Sequence, residues 1–197
     1  MSAVSSEIRS IPGVTLAPGR AAGEPFVLRE PLSFWGGLDS ATGRIIDRWH
    51  PQHGAGIAGR ILIMEAGRGS SSGSSVLAEA IRRGTGPAGI VLRTRDAIVT
   101  VGAMVAGELY GLACPVILAA AEDWPAIRAA SHLTLEAAPE GAVIRCSGEP
   151  AAGSPSSIGP PSQVLQPAAS VPSSGIGPPS QTPQPAAGSS SSIRPPS

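Results

Sequence analysis

Every acidic residue of the chain lies between Glu7 and Glu149, and beyond that point the sequence collapses to Pro, Ser, Gly, Ala and Gln, with Arg194 as its only charge. The collapse is repetitive. Ile158-Gly-Pro-Pro-Ser-Gln163 recurs as Ile176-Gly-Pro-Pro-Ser-Gln181, and Ile193-Arg-Pro-Pro-Ser197 is a partial third copy. Such a segment has too little apolar surface to offset the entropy of ordering its backbone. It reads as a disordered, locally polyproline-like tail over 149–197. A Pro-rich partner ligand is the functional alternative, though its Pro-Pro pairs lack a PxxP anchor. The folded unit is therefore expected at 8–148, preceded by a short arm at 1–7.

Charge then removes several function classes. The 14 basic residues balance 14 acidic ones, so bulk charge argues against a nucleic-acid or anionic-membrane partner. All the basic residues are arginines. Without lysine there is no Walker phosphate loop, no Schiff base and no catalytic amine. The two cysteines, Cys114 and Cys146, lack metal-type spacing and read as small buried apolar groups. No metal site is expected on this chain. The N-terminal stretch lacks the apolar core of a signal peptide, and Glu108 and Pro115 interrupt the apolar run 97–121; a cytoplasmic, non-membrane protein is the expectation.

Within 8–148, short β-branched runs bounded by Gly or Pro predict strands at Phe26–Leu28, Arg44–Asp47, Ile61–Met64, Ile90–Leu92 and Val116–Leu118. Leu133–Leu135 and Val143–Ile144 suggest a hairpin around Pro139-Glu140-Gly141. The clearest helix begins near Ser74: Val76, Leu77, Ala80 and Ile81 fall on one face, Arg82 and Arg83 suit its negative end, and Gly84 stops it. Ala103–Tyr110 and Trp124–Ala130 are weaker helices. The mixture predicts an α/β domain with a compact sheet core.

Between strand and helix lies Gly67-Arg-Gly-Ser-Ser-Ser-Gly-Ser74. Unpaired amides at a helix N-terminus favour negative charge, and glycines let backbone approach a ligand. Three readings compete. Serine is a favoured helix cap, so the loop reads as a cap and flexible turn. Gly69-Ser70-Ser71-Ser72-Gly73 also matches the nucleophile elbow G-x-S-x-G, with Asp96 or Asp123 and then His132 in hydrolase order, but Glu65 to Arg68 separate it from the strand. The third reading is an anion-binding or proton-abstracting serine loop, with Arg68 as a fixed positive charge.

Other residues carry weaker signals. Phe34-Trp35-Gly36-Gly37 reads as a tight turn with two aromatics, in the core or at an interface near substrate. Asp39 and Asp47 read as solvated turn carboxylates flanking Thr42-Gly43. His50 and His53 could orient a carboxylate or a water, and Glu79 reads as dipole compensation in the first helical turns.

From Gly23 to about Val116 the sequence resembles the swivel domain of the aconitase X family. The blocks that carry the likeness are Glu30-Pro-Leu-Ser-Phe-Trp-Gly-Gly-Leu-Asp39, Thr42-Gly-Arg-Ile-Ile-Asp47, His50-Pro51, Gly59-Arg-Ile-Leu-Ile-Met64, Gly67 to Ser75 with Val76-Leu77-Ala78-Glu79, and Gly102-Ala103. The resemblance implies a swivelling β/β/α domain, the small subunit of a hydro-lyase, closing over a larger catalytic subunit that carries an iron–sulfur cluster. It implies Ser70 as general base, with Ser71 as the alternative, and Arg68, Gly69, Ser71 and Ser72 as substrate- or anion-binding positions. Aconitase proper has Arg after its two serines, where this chain has Ser72. Two substrate branches follow, cis-3-hydroxy-L-proline and (R)-5-phosphomevalonate. The all-arginine, Ala/Gly/Pro-rich composition suggests a GC-rich genome, which favours the hydroxyproline branch. A domain holding a small anion without chemistry is the rival class.

Overall fold

The computed structural model describes residues 8–148. The expected arm at 1–7 and the expected disordered tail at 149–197 lie outside the described residues.

Ten strands and four α-helices follow one another as β1 (Arg9–Ala17), β2 (Gly19–Gly23), β3 (Pro25–Val27), α1 (Phe34–Gly37), β4 (Leu38–Asp39), β5 (Arg44–Ile45), β6 (Ile61–Met64), α2 (Ser72–Arg82), β7 (Gly89–Leu92), α3 (Ala97–Tyr110), β8 (Val116–Ala119), α4 (Trp124–Ala129), β9 (His132–Ala138) and β10 (Gly141–Ser147), with a 3-10 turn at Ala121–Asp123 leading into α4. Eight strands form one sheet in the order β2-β9-β10-β1-β8-β7-β6-β3, while β4 and β5 pair apart from it. The expected α/β class with a sheet core holds. The sheet curls nearly closed, so that Gly89 on β7 packs against Leu135 on β9 and Ala21 on β2.

The two halves of the sheet carry different sequence patterns for a physical reason. Strands β3, β6, β7 and β8 run parallel, and β6, β7 and β8 are covered on both faces. Buried twice over, they need unbroken apolar runs, which is what Ile-Leu-Ile-Met, Gly-Ile-Val-Leu and Val-Ile-Leu-Ala supply. Ile61, Ile63, Val91 and Ile117 point inside the curled sheet with Leu133, Leu135 and Ile144. Their neighbours Leu62, Met64, Ile90 and Leu92 point outward, under α2 and α3. The antiparallel strands β9 and β10 bury one face only, so Leu133, Leu135, Ala142 and Ile144 alternate with partly exposed Thr134, Glu136, Val143 and Arg145. Arg145 reaches Glu136 across the outer face at 2.7 Å, and that hydrogen bond holds the Glu136 carboxyl below its ordinary value.

Several boundaries moved. β1 and β2 add to the expected strands: Pro12 and Gly13 are residue types that ordinarily interrupt a strand, and Gly-Arg-Ala-Ala-Gly has no alternation. Pairing of β1 with β8 begins only at Gly13, so Pro12 sits where the sheet is locally one-sided and a missing N–H is tolerated. The expected strand Arg44–Asp47 ends at Ile45, and Asp47 leaves it for the site below. Helix α3 starts at Ala97, six residues ahead of the expected Ala103, because the Asp96 side chain accepts from Val99 N and caps it. Helix α2 starts at Ser72 and ends with Gly84 at φ +72° beyond the Arg83 cap. Glu79 is not in its first turns. It is ion-paired with Arg82 at 2.7 Å and Arg83 at 3.0 Å near the C-terminal end. No described helix is long and apolar enough to cross a membrane.

Both cysteines are buried and free. Cys114 lies 3.5 Å from the Pro87 carbonyl, and burial pushes its thiol up to about 12. Thiolate is the reactive form, so native Cys114 is expected to react with a disulfide reagent at pH 8 at least about a hundredfold more slowly than in denaturant. Equal rates in the two states would contradict its placement.

Candidate functional site

Three loops leave the carboxyl ends of adjacent parallel strands and meet there, the usual position of ligand sites in parallel sheets. The first runs from β3 to Phe34, the second is the serine loop after β6, and the third joins β7 to α3. Backbone bonds tie them together: Arg68 N donates to Leu32 O at 3.2 Å, and Thr94 N to Glu65 O at 2.8 Å.

The serine loop is held at both flanks. On one side Gly67 N donates to Asp96 Oδ2 at 2.8 Å, while Asp96 Oδ1 accepts from Val99 N at 2.9 Å. One carboxylate thus bridges the loop and the first turn of α3. A methyl group at Gly67 would run into that carboxylate, so the bridge requires glycine. On the other side Arg68 Nη2 meets Asp47 Oδ2 at 2.9 Å, with the two side chains 55% and 16% exposed. The pair is too open to contribute more than about 1 kcal/mol, but it fixes where the guanidinium sits. Gly69, at φ +108°, then turns the chain past Ser33, whose Oγ and Cβ occupy the space a side chain would need.

Ser70, Ser71 and Ser72 are all exposed. Ser71 stands at the N-cap of α2 in αR geometry and makes no side-chain cap bond. Among the described residues, the loop's one hydroxyl bond runs from Ser74 Oγ to Ser71 O at 2.7 Å. The helix-cap reading of the serines therefore fails for Ser71, and their hydroxyls face solvent at the positive end of an 11-residue helix. The elbow reading fails as well. His132 pairs with Ser147 in the sheet, Asp123 holds Arg9 at 3.0 Å, and Asp96 is engaged with backbone amides.

The carboxylate and histidine readings divide. Asp47 is no solvated turn carboxylate: besides Arg68 it accepts from Trp49 N at 3.0 Å. Asp39 does act in its own turn, accepting from Ala41 N and Thr42 Oγ1, bonds that hold it below its ordinary value. His50, 4% exposed, does not face the site. Its Nδ1 accepts from Gln52 N at 3.1 Å, which leaves the proton on Nε2 to donate to Glu30 O at 3.1 Å. Gln52 in turn grips Val27 O and Arg29 N, so the two side chains pin the exit of β3. His53 lies at the surface against Asp47 O at 3.2 Å.

The Phe34-Trp35 turn divides its aromatics. Phe34 is buried, whereas Trp35 is 62% exposed and Trp49 93%. Gly37 O accepts from Ile46 N and Asp47 N, so the Trp35 turn and the Ile46–Trp49 segment form one rim beside Arg68. Asp96 and Ser33 are the site residues that the sequence reading passed over in these roles. An Asp directly before an apolar helical run was the available signal for Asp96; nothing local marks Ser33.

No three His, Cys, Asp or Glu side chains among the described residues gather as a metal set, and the two cysteines are buried in separate apolar clusters, Cys114 in the outer one and Cys146 in the inner one. The described residues do not fit an iron–sulfur cluster.

A family model described as the aconitase X swivel domain matches residues 10–145. The chain is similar to a cis-3-hydroxy-L-proline dehydratase of Pseudomonas aeruginosa, 48% identical over 102 residues, which are 52% of this chain and 18% of that protein. It is also similar to a phosphomevalonate dehydratase small subunit of Methanothermobacter thermautotrophicus, 41% identical over 92 residues, covering 47% of this chain and 70% of that one. The chain therefore spans less than a fifth of the bacterial relative's length. Among solved structures it is similar to aconitase X of Thermococcus kodakaraensis in its holo form, with a TM-score of 0.58 and 26% identity over 72% of this chain and 99% of that one.

Proposed function

The chain belongs to the aconitase X swivel-domain family, and from that premise we propose that it is the small subunit of an aconitase-X-type dehydratase whose serine loop supplies the general base. The observation that carries the reading is the loop itself: a serine run at the amino end of α2, free of a side-chain cap and fixed on both flanks. In this proposal Ser70 takes the proton from the carbon beside the substrate carboxylate, and Ser71 is the alternative.

A serine hydroxyl is far too weak an acid to be ionised in water. Its alkoxide needs fixed donors and positive charge in a site closed to solvent. This chain offers the α2 amino end and Arg68; Gly69, Ser71 and Ser72 would bind the substrate anion. The iron–sulfur cluster that the family implies, which would assist departure of the hydroxyl, would be held by the larger partner. The exposed Trp35 and Trp49 on the rim suit a surface that a partner covers, since buried tryptophans often dominate such contacts.

For the substrate, cis-3-hydroxy-L-proline is the first choice, supported by 48% identity to the Pseudomonas protein. Phosphomevalonate is the second, supported by the 70% coverage of the archaeal small subunit. The experiment is co-expression with the cognate large subunit and assay of dehydration on both compounds. Turnover of hydroxyproline by the complex, and none by either chain alone, is the expected result. Binding of a small carboxylate by this chain alone, with no large subunit recovered with it, would favour the anion-holding module.

A further inference from the structure

We propose that Asp96 is a positioning residue for the serine loop, acting on the reacting hydroxyl through the Gly67 amide; the inference rests on the general-base reading of Ser70. Asp96 spends both carboxylate oxygens on backbone amides of two different segments, Gly67 N at 2.8 Å and Val99 N at 2.9 Å. Helix capping alone needs only the second of these. The first reaches back across 29 residues to the start of the serine loop.

Three further observations show that loop and helix are built as one unit. Gly67 has no room for a methyl because the carboxylate occupies it. The Asp96 carbonyl is doubly committed, to Thr100 N at 3.1 Å and Thr100 Oγ1 at 2.7 Å, so the carboxylate is carried on a fixed first turn. Further along α3, Gly102 lies against Ser74 O and Leu77, so the helix also touches the far end of the loop.

A loop without this bond would still connect β6 to α2, held by Arg68 and by the helix itself. The difference is in placement. Ser70 lies three residues beyond the tethered amide, and small displacements of a reacting group can cost tens of fold in rate. Binding tolerates such a displacement better than proton transfer does, because several amides and Arg68 share the substrate anion while a single hydroxyl must reach the proton. The bond therefore affects turnover more than it affects binding.

Two variants separate placement from capping. Asp96→Ser keeps a favoured cap for Val99 N but is too short to span to Gly67. Asp96→Asn keeps the length, yet its single carbonyl oxygen can serve only one amide. In the complex with the large subunit, assayed on cis-3-hydroxy-L-proline, Asp96→Ser is expected to lower kcat roughly ten- to thirtyfold with KM within about twofold. Amide exchange at Gly67 should quicken at least about tenfold while Val99 and Thr100 keep their protection. Unchanged kcat alongside an inactive Ser70→Ala complex would overturn the assignment. So would loss of protection at Val99 and Thr100 in both variants, which would make the residue a cap and nothing more. If Ser70→Ala remains fully active, the general-base reading fails, and the Gly67 exchange rate still decides whether the tether exists.

Discussion

Replacing Ser70 with alanine is expected to lower kcat of the complex about a thousandfold, the middle of the range that a positioned general base contributes. The expectation comes from how little else Ser70 does. Its hydroxyl is exposed and its main-chain carbonyl, which accepts from Gly73 N at 2.9 Å, survives the substitution. The variant should melt within about 2 °C of the parent, since exposed substitutions away from caps change stability by about half a kcal/mol or less. KM should move little if the loop's amides and Arg68 hold the substrate. Steady-state kinetics on the co-expressed complex checks both numbers. A Ser70→Ala complex with parental kcat removes the assignment; if Ser71→Ala is the inactive variant instead, the base is one residue further along.

The second large effect concerns stability. Gly102 is a glycine inside α3, where glycine costs about 1 kcal/mol relative to alanine, so its presence needs a reason. The reason is the crossing of α2 and α3. A methyl at Gly102 would stand 2.9 Å from Ser74 O and 3.2 Å from Leu77 Cβ. Alanine there gains helix propensity, but its methyl meets a backbone carbonyl that cannot swing aside, so the helices must part slightly and Gly102→Ala should be mildly destabilising. Valine adds two more carbons with no space for them, and overpacking of this kind costs about 1–3 kcal/mol. Gly102→Val should therefore lower Tm by roughly 10 °C, at about 4 °C per kcal/mol for a domain of this size. Thermal unfolding of the parent and both variants is the measurement. A Gly102→Val shift under about 3 °C would mean that the helices do not cross so closely.

How much was legible beforehand divides along the sheet. Strands β6, β7 and β8 were readable because burial on both faces demands uninterrupted β-branched runs, and Ile61–Met64 was placed to the residue. The α2 pattern was equally plain, as Leu77, Ala80 and Ile81 must share one face. β1 escaped because what qualifies it as a strand is its neighbours: Gly13 suits the close approach of Ile117, 2.5 Å from where a Cβ would stand, a fact no local window contains. The site was legible in composition and opaque in wiring. The serine run and Arg68 stood out as residue types, but the partners that orient them, Asp47 and Asp96, lie 21 and 29 positions from the residues they hold. In the sequence Asp47 reads as a solvated turn carboxylate, and Asp96 as no more than a candidate acid of a nucleophile-elbow triad. Distance along the chain hid their roles.

The division of the apolar residues into an inner set, including Ile61, Ile63, Val91 and Ile117, and an outer set, including Leu62, Met64 and Leu92, has a use for protein engineering. Odd and even positions of one strand answer to different neighbours, so they can be diversified separately. A combinatorial library confined to the inner positions and their facing partners Leu133, Leu135 and Ile144 would sample heat tolerance while leaving the ground under the serine loop untouched. A library at the outer positions would shift the helices that carry the loop, and its members would differ in turnover as much as in stability.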